Sequence, residues 1–194
     1  MNMTLRTVIQ LGFESKLDQI VERTESLEQL PSFLPNTHFA PPACEARQMY
    51  RMGYYYGCIM VSQATAEALA RYIAKAKHLP ASYSIEQDRR NGGVSQAERI
   101  EYMKQQKVIS KEAFKHFRRI LNHKRNSFHH MNSDVPVENK KLKTMAFECV
   151  ASLYSIEGAF LGFGRDGKVV VNDRELWDVK SDGSVAGFID LERI

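Results

Sequence analysis

Apolar residues return at intervals of three and four over most of the chain, which is the period of an amphipathic helix. The first such stretch predicts a helix from Gly12 to Leu30, ended by Pro31. The longest stretch predicts a helix from Pro42 to His78, because proline suits a first helical turn and Pro80 ends the pattern. The pattern therefore favours a mainly helical fold.

Three further helices are predicted in the second half of the chain. Ser95 and Glu98 form a capping-box pattern ahead of a short helix that ends near Lys107. Ser110 is placed to cap a helix from Lys111 to about His130, and a last helix is expected from about Glu138 to Gly162. The residues expected on the buried sides of the last two helices are Phe114, Phe117, Leu121 and Phe128, then Leu142, Met145, Cys149, Leu153, Ile156 and Phe160.

The pattern changes after Gly162, where β-branched and apolar runs lie between turn residues. Val169–Val171 and Val185–Leu191 predict a β-meander of two or three strands. So short a sheet is marginal alone, so we expect it to pack on the helices. The expected architecture is an all-α bundle over residues 1–162 with a C-terminal β-meander over residues 163–194.

Composition adds few constraints. The net charge of +4 permits a polyanionic partner without demanding one. The three cysteines include no Cys-x-x-Cys pair, so no metal or other cofactor is predicted, and free thiols fit a reducing compartment. The N-terminal residues do not resemble a signal peptide, and no apolar run is long enough to span a bilayer. We therefore expect a cytoplasmic protein without a membrane segment.

The segment Leu121–His130 contains the most chemistry, with three of the six histidines and adjacent cations at Lys124 and Arg125. On a helix, Asn126 and His130 would share a face, and the long side chain of Arg125 could reach the same place. A fixed cation, an amide and an imidazole would then surround one small anionic group.

Those groups are the ones that RNA cleavage needs. The ribose 2′-hydroxyl attacks its own phosphate when a base removes its proton and a cation stabilises the charged transition state. Histidine suits the proton transfer, and arginine binds phosphate oxygens with two parallel N–H groups. No metal ion is required.

Arg125, Asn126, three intervening residues and His130 resemble the Arg-x4–6-His motif of HEPN (higher eukaryotes and prokaryotes nucleotide-binding) domains. The resemblance implies an all-α bundle, commonly a homodimer, with two copies of the motif facing each other across the dimer cleft. Many such domains are metal-independent endoribonucleases of toxin–antitoxin or antiphage systems, and others only bind. The resemblance covers roughly Pro42 to Gly162.

HEPN domains often carry an acidic or polar residue on a long apolar helix before the motif, and Glu67 within Ser62–Leu69 is similar. The resemblance implies that His130 acts as general acid and base and that Arg125 stabilises the scissile phosphate. Asn126 would orient the phosphate or the imidazole, and Glu67 would position Arg125 of the same or the opposing subunit.

Several alternatives stay open for these residues. His129 is also four residues from Arg125, so it could replace His130. Arg125 and His130 could instead form a solvated helix end, where cations favourably meet the helix dipole. Glu67 could serve only a buried structural hydrogen bond. A zinc site from the histidines of this segment would lack nearby acidic or thiol ligands.

The helix before the motif is strongly basic and contains a single acidic residue, Glu112, between Lys111 and Arg125. These cations are expected either to form a solvated face or to guide an RNA backbone toward the motif. The predicted RNA-binding residues are Lys115, Arg118, Arg119, His123, Lys124 and His129.

Two other functions compete with the ribonuclease. One is a non-catalytic HEPN-fold module that binds a nucleotide, RNA or a partner protein. The other is a helical DNA-binding regulator, against which the sequence shows no clear short turn before the basic helix. For the ribonuclease, the expected partners are RNA, a second copy of the chain, and an antitoxin or regulatory protein.

Overall fold

The computed structural model describes residues 4–30, 39–84, 94–123, 128, 130, 132, 135–163 and 169–171. Over these residues the chain is mainly α-helical, which confirms the predicted all-α class. The helices are α1 Leu5–Glu14, α2 Leu17–Glu28, α3 Ala40–Met52, α4 Tyr55–Ala76, α5 Ala81–Ser84, α6 Gln96–Gln105, α7 Lys111–Asn122 and α8 Asn139–Phe160.

The first predicted helix is two helices, so the expectation of one continuous helix beginning at Gly12 was wrong. Helix α1 already begins at Leu5, and α2 begins at Leu17. Between them, the Ser15 hydroxyl donates to the Gly12 carbonyl at 3.0 Å, and the Lys16 N–H donates to the Phe13 carbonyl at 2.9 Å. Such local hydrogen bonds interrupt a helix without disturbing its apolar period, so the pattern did not reveal the break.

The prediction of one long helix from Pro42 to His78 was also wrong, because the chain forms two helices that are separated at Gly53. This glycine has φ +84°, and its N–H donates to the Tyr50 carbonyl, so it ends α3 in a left-handed turn. The Arg23 side chain of α2 covers the turn and donates to the Arg51 carbonyl at 2.7 Å. Helix α4 then starts in a new direction from Tyr55.

The predicted helix starts at Ser95 and Ser110 are confirmed. Ser95 and Glu98 form a reciprocal capping box, and the Ser110 hydroxyl accepts the Ala113 N–H at 3.0 Å. Helix α7, however, ends at Asn122 and not near His130. The next residue, His123, leaves the helix and its ring lies against α8, so a tertiary contact overrides the continuing helical pattern.

The core lies where α4 packs against α3 and α8, and α7 packs against α8 and α6. Phe117 of α7 is fully buried there, and Phe114 and Leu121 are half-buried. Along α8 the predicted buried side is confirmed for its described side chains; Leu142, Cys149, Leu153 and Ile156 are buried, and Met145 is half-buried. No described helix is long and apolar enough to cross a bilayer.

A short antiparallel ladder follows α8. Strand β1, Leu161–Phe163, pairs with β2, Val169–Val171, so that Leu161 lies opposite Val171. The run Val185–Leu191 lies outside the described residues. The meander and the division of the chain at residues 162 and 163 therefore stay predictions.

Candidate functional site

The predicted site lies between the end of α7 and the start of α8. His123, Phe128 and His130 are described, whereas Lys124, Arg125, Asn126 and His129 lie outside the described residues. The surroundings of the site are therefore defined by these three described residues and by the helices that they contact.

The upstream side of the motif is held by His123. Its side chain is only 13% exposed, and its Nε2 lies 3.1 Å from a carboxylate oxygen of Glu148 on α8. Burial lowers the pKa of His123, and this effect outweighs the opposing influence of the Glu148 carboxylate. His123 was predicted to contact RNA. In the structure its side chain lies against Glu148 of α8.

Phe128 lies within the motif, between Asn126 and His130, and is 1% exposed. Its ring centroid lies 5.9 Å from that of Tyr56 at the start of α4, and the Tyr56 hydroxyl donates to the Pro136 carbonyl at 2.9 Å. Phe128 thus ties the chain to α4. Two residues later, His130 is exposed, so its imidazole is accessible from solvent.

Glu67 lies on α4, facing the C-terminal half of α7. It lines a small hollow together with Gln63, Ala66, Gln96, Phe117, Ile120 and Leu121. Its carboxylate forms an ion pair with Arg71 at 3.0 Å, and its side chain is 13% exposed. Leu121 precedes Arg125 by four residues, so Glu67 lies close to the part of α7 from which the motif segment continues.

The sequence reasoning missed the other polar residues around this hollow. Gln63, one turn before Glu67, is buried, and its amide nitrogen donates to the Ile120 carbonyl at 3.4 Å. Gln96 and Arg99 of α6 are also buried, and Arg99 donates both to Gln96 and to the Tyr83 carbonyl. The signal was available, because Gln63 interrupts an apolar stretch of α4 at the same helical face as Glu67.

The outward side of α7 is cationic. Lys111, Lys115 and Arg119 are exposed and recur every four residues, so they share one side, and Arg118 is half-buried beside them. Glu112 pairs with Lys115 at 2.9 Å, but both side chains are mostly exposed and water weakens the pair. Three predicted RNA-binding residues, Lys115, Arg118 and Arg119, therefore lie on one helix that leads to the motif.

The described residues do not form a metal site. They contain no group of three or more histidine, cysteine, aspartate or glutamate side chains placed to hold an ion. Cys58 and Cys149 are buried, and burial raises the pKa of Cys58 to about 12, so its thiol stays protonated.

Comparisons of the chain with protein-family models, with curated proteins and with solved structures found no match.

Proposed function

We propose that the protein is a HEPN-like, metal-independent endoribonuclease whose active site contains Arg125, Asn126 and His130. One observation carries the proposal. The exposed His130 follows Arg125 and Asn126 by a few residues, directly beyond a helix whose outward side is cationic. This chemistry uses an accessible imidazole and a permanently charged guanidinium beside a surface that binds a polyanion.

In the proposed reaction, His130 accepts the proton of the ribose 2′-hydroxyl as that oxygen attacks the adjacent phosphorus. The bond from phosphorus to the 5′-oxygen breaks, and a protonated imidazole supplies the proton that this oxygen takes up. Arg125 stabilises the extra negative charge on the phosphate, and Asn126 orients the phosphate or the imidazole. The products carry a 2′,3′-cyclic phosphate and a 5′-hydroxyl.

The contacts of His123 and Phe128 with the bundle support this role, because catalytic side chains must be held in place. His123 contacts α8 and Phe128 contacts α4, and these two residues lie on either side of residues 124–127 in the sequence. Side chains held by such packing lose less freedom when they bind a substrate.

Glu67 is proposed to position Arg125 of its own or the opposing subunit. A carboxylate can accept several hydrogen bonds through its two oxygens, so Arg71 and Arg125 can share it. The proposed enzyme is a cytoplasmic homodimer that acts as a toxin or antiphage effector, with an antitoxin or another regulatory protein as its partner.

Cleavage of RNA in EDTA by single-residue variants tests the proposal. We expect His130→Asn and Arg125→Ala to lower the cleavage rate by about a hundredfold or more, as loss of a general acid–base group does. His78→Asn is the matched control, because His78 is an exposed histidine on another part of the chain, and asparagine tolerates its positive φ. His129→Asn tests the neighbouring histidine and should cleave near the wild-type rate.

The non-catalytic binding module is the second candidate, because the cationic side of α7 can hold RNA whether or not the motif cleaves it. RNA binding without cleavage by the purified wild-type chain would favour it. The DNA-binding regulator fits less well. Residues 106–110 separate α6 from α7, which is longer than the turn of three or four residues in a helix-turn-helix motif.

A further inference from the structure

A series of exposed cations continues past the start of α7 into the connection with α6 and onto the last turn of α6. The series is Lys104, Lys107, Lys111, Lys115 and Arg119. Among the described residues, only Lys115 of this series has a carboxylate partner, Glu112, at 2.9 Å. Most of the positive charge along this surface is therefore not neutralised by the described carboxylates.

Packing joins the end of α6 to the start of α7. The Lys104 Nζ lies 4.1 Å from the ring centroid of Phe114, which is half-buried on α7. At the other end of the pair, Gln96 of α6 and Leu121 of α7 line the same hollow, so the two helices run antiparallel. The cations at the α6–α7 connection therefore lie at the end of α7 that is distant from the motif. The 12 residues of α7 span about 18 Å, the length of about five nucleotides of a stacked strand.

Lys107 ends α6 in a left-handed conformation, with φ +57°. Its N–H donates to the Lys104 carbonyl at 3.0 Å, and the Val108 N–H donates to the Met103 carbonyl at 2.9 Å. This arrangement of hydrogen bonds is one that glycine ordinarily completes, because a side chain is strained at positive φ. Glycine at position 107 should therefore remove the charge and preserve the turn.

The character of this surface favours one class of partner. Exposed charges of a single sign suit a polyanion. A membrane surface ordinarily also takes up large apolar side chains. The exposed large apolar residues of the described chain lie on α1 and α2 and at Tyr54 and Val137, and none lies on α6 or α7. Continuity with the cationic side of α7 therefore favours a nucleic-acid backbone.

We propose that Lys104 and Lys107 extend the RNA-binding surface of α7. An RNA strand bound at the motif then runs along α7, past Lys115 and Lys111, and over the α6–α7 connection. The inference rests on the RNA binding in the proposed function, but it does not depend on cleavage. It adds two phosphate-binding residues and gives the direction in which the substrate extends from the motif.

The test measures fluorescence anisotropy of a labelled 2′-O-methyl RNA, which lacks the 2′-hydroxyl that the proposed cleavage requires. Lys107→Gly should weaken binding about fivefold at low salt and make the slope of log affinity against log salt shallower by about one. Its Tm should rise by about 2–4 °C, because the left-handed turn is relieved of strain. A variant that is more stable and binds less well does not owe its lower affinity to misfolding.

The chain offers a matched control for the backbone effect. His78 is exposed, has φ +53°, and ends α4 with the same two hydrogen bonds, from its own N–H to Lys75 and from the Leu79 N–H to Ala74. His78→Gly should therefore raise the Tm by a similar amount and leave the RNA affinity unchanged.

Three further variants isolate the charge. Lys107→Arg keeps the cation and should keep wild-type affinity. Lys104→Gln should weaken binding about as much as Lys107→Gly, because it also removes one phosphate contact. Lys16→Gln removes one charge just before α2, away from this surface, and should have no effect.

Wild-type affinity in both Lys107→Gly and Lys104→Gln would overturn the inference. So would displacement of the RNA by poly-glutamate at an equal concentration of charge, which would assign the surface to acidic polymers in general. If Lys115→Glu with Arg119→Glu weakens binding while the two turn variants do not, the proposed RNA surface of α7 stands and only its extension is wrong. Absence of binding by the wild type would contradict both the extension and the proposed function.

Discussion

Helices α7 and α1 are both strongly amphipathic, yet the fold places their apolar sides oppositely. Helix α7 buries Ala113, Phe117 and Ile120 and presents cations outward, whereas α1 buries no residue. The difference lies in their neighbours, because α7 packs between α6 and α8 and α1 has no such contacts among the described residues. An amphipathic pattern thus predicts a helix with an apolar side but does not show what covers that side.

The two outward surfaces also differ in the partners that they suit. The outward side of α7 has exposed cations spaced by one turn, which suits a polyanion. The outward side of α1 is apolar, which does not suit a polyanion.

The largest expected difference is between two phenylalanines. Phe117→Ala should lower the free energy of unfolding by about 3–5 kcal/mol, because the ring of Phe117 is fully buried and its removal leaves a cavity. Phe13→Ala should change it by about 0.5 kcal/mol or less in the monomer, because half of Phe13 is already exposed. Urea unfolding at protein concentrations below dimer formation measures both values.

A large loss of monomer stability in Phe13→Ala would show that α1 packs on its own bundle, and the contrast between the helices would be wrong.

Reversal of charge on α7 has the next largest expected effect. Lys115→Glu with Arg119→Glu should weaken RNA binding roughly a hundredfold at low salt, because two cations are replaced by anions that repel phosphate. The slope of log affinity against log salt should become shallower by about two. Fluorescence anisotropy with a labelled RNA measures both quantities.

Lys16→Glu with Lys75→Glu is the control for this experiment, because it makes the same change of net charge just before α2 and on α4, away from α7. An equal loss of affinity in the control would mean that RNA responds to net charge alone. That result would remove α7 as the specific RNA surface.

Loss of a helix cap should have a smaller effect, and that effect should differ between α7 and α1. Ser110→Ala removes the acceptor for the Ala113 N–H and should cost about 1 kcal/mol of unfolding free energy. Thr4→Ala removes the cap of α1, where the Thr7 N–H donates at 3.3 Å. It should reduce the helical signal with little effect on global unfolding, because α1 contributes no buried residue. Circular dichroism combined with urea unfolding distinguishes the two results.

The smallest expected effect is a pH dependence of the unfolding free energy, caused by two partly buried histidines in and just after α7. Burial lowers the pKa of both His116 and His123 below the ordinary value of a histidine side chain. The unfolded chain then binds more protons than the folded chain, so stability rises with pH and is lost as pH falls below about 6.5. His123→Asn should flatten this slope between pH 7 and 5 in urea unfolding. A steeper slope would contradict the burial of a neutral His123.

Local sequence signals predicted helix starts better than helix ends. Ser95 and Ser110 were identified because a capping hydroxyl acts on backbone groups only three residues away. Helix α1 ends at Glu14, where the Ser15 hydroxyl donates to the Gly12 carbonyl. Helix α3 ends at Met52, because Gly53 adopts a left-handed conformation. Helix α7 ends at Asn122, and the next residue, His123, contacts Glu148. The contact of His123 with Glu148 joins parts of the chain that no local pattern relates, whereas the other two ends depend on local backbone geometry that the apolar period does not show.

The candidate site was predictable to a similar degree. The sequence identified Glu67 and the basic residues of α7, and the structure places Glu67 beside that helix. It did not reveal Gln63, Gln96 or Arg99, because their meeting depends on how α4, α6 and α7 pack. It also did not reveal that Phe128 packs against Tyr56 of α4.

The most direct test of the central claim measures binding and cleavage of one labelled RNA in EDTA by three proteins. We predict that the wild type cleaves it and leaves a 2′,3′-cyclic phosphate. We expect His130→Asn to bind the RNA with wild-type affinity but not to cleave it, and the α7 charge-reversal variant to do neither. Cleavage by His130→Asn at the wild-type rate, or binding without cleavage by the wild type, would contradict the claim.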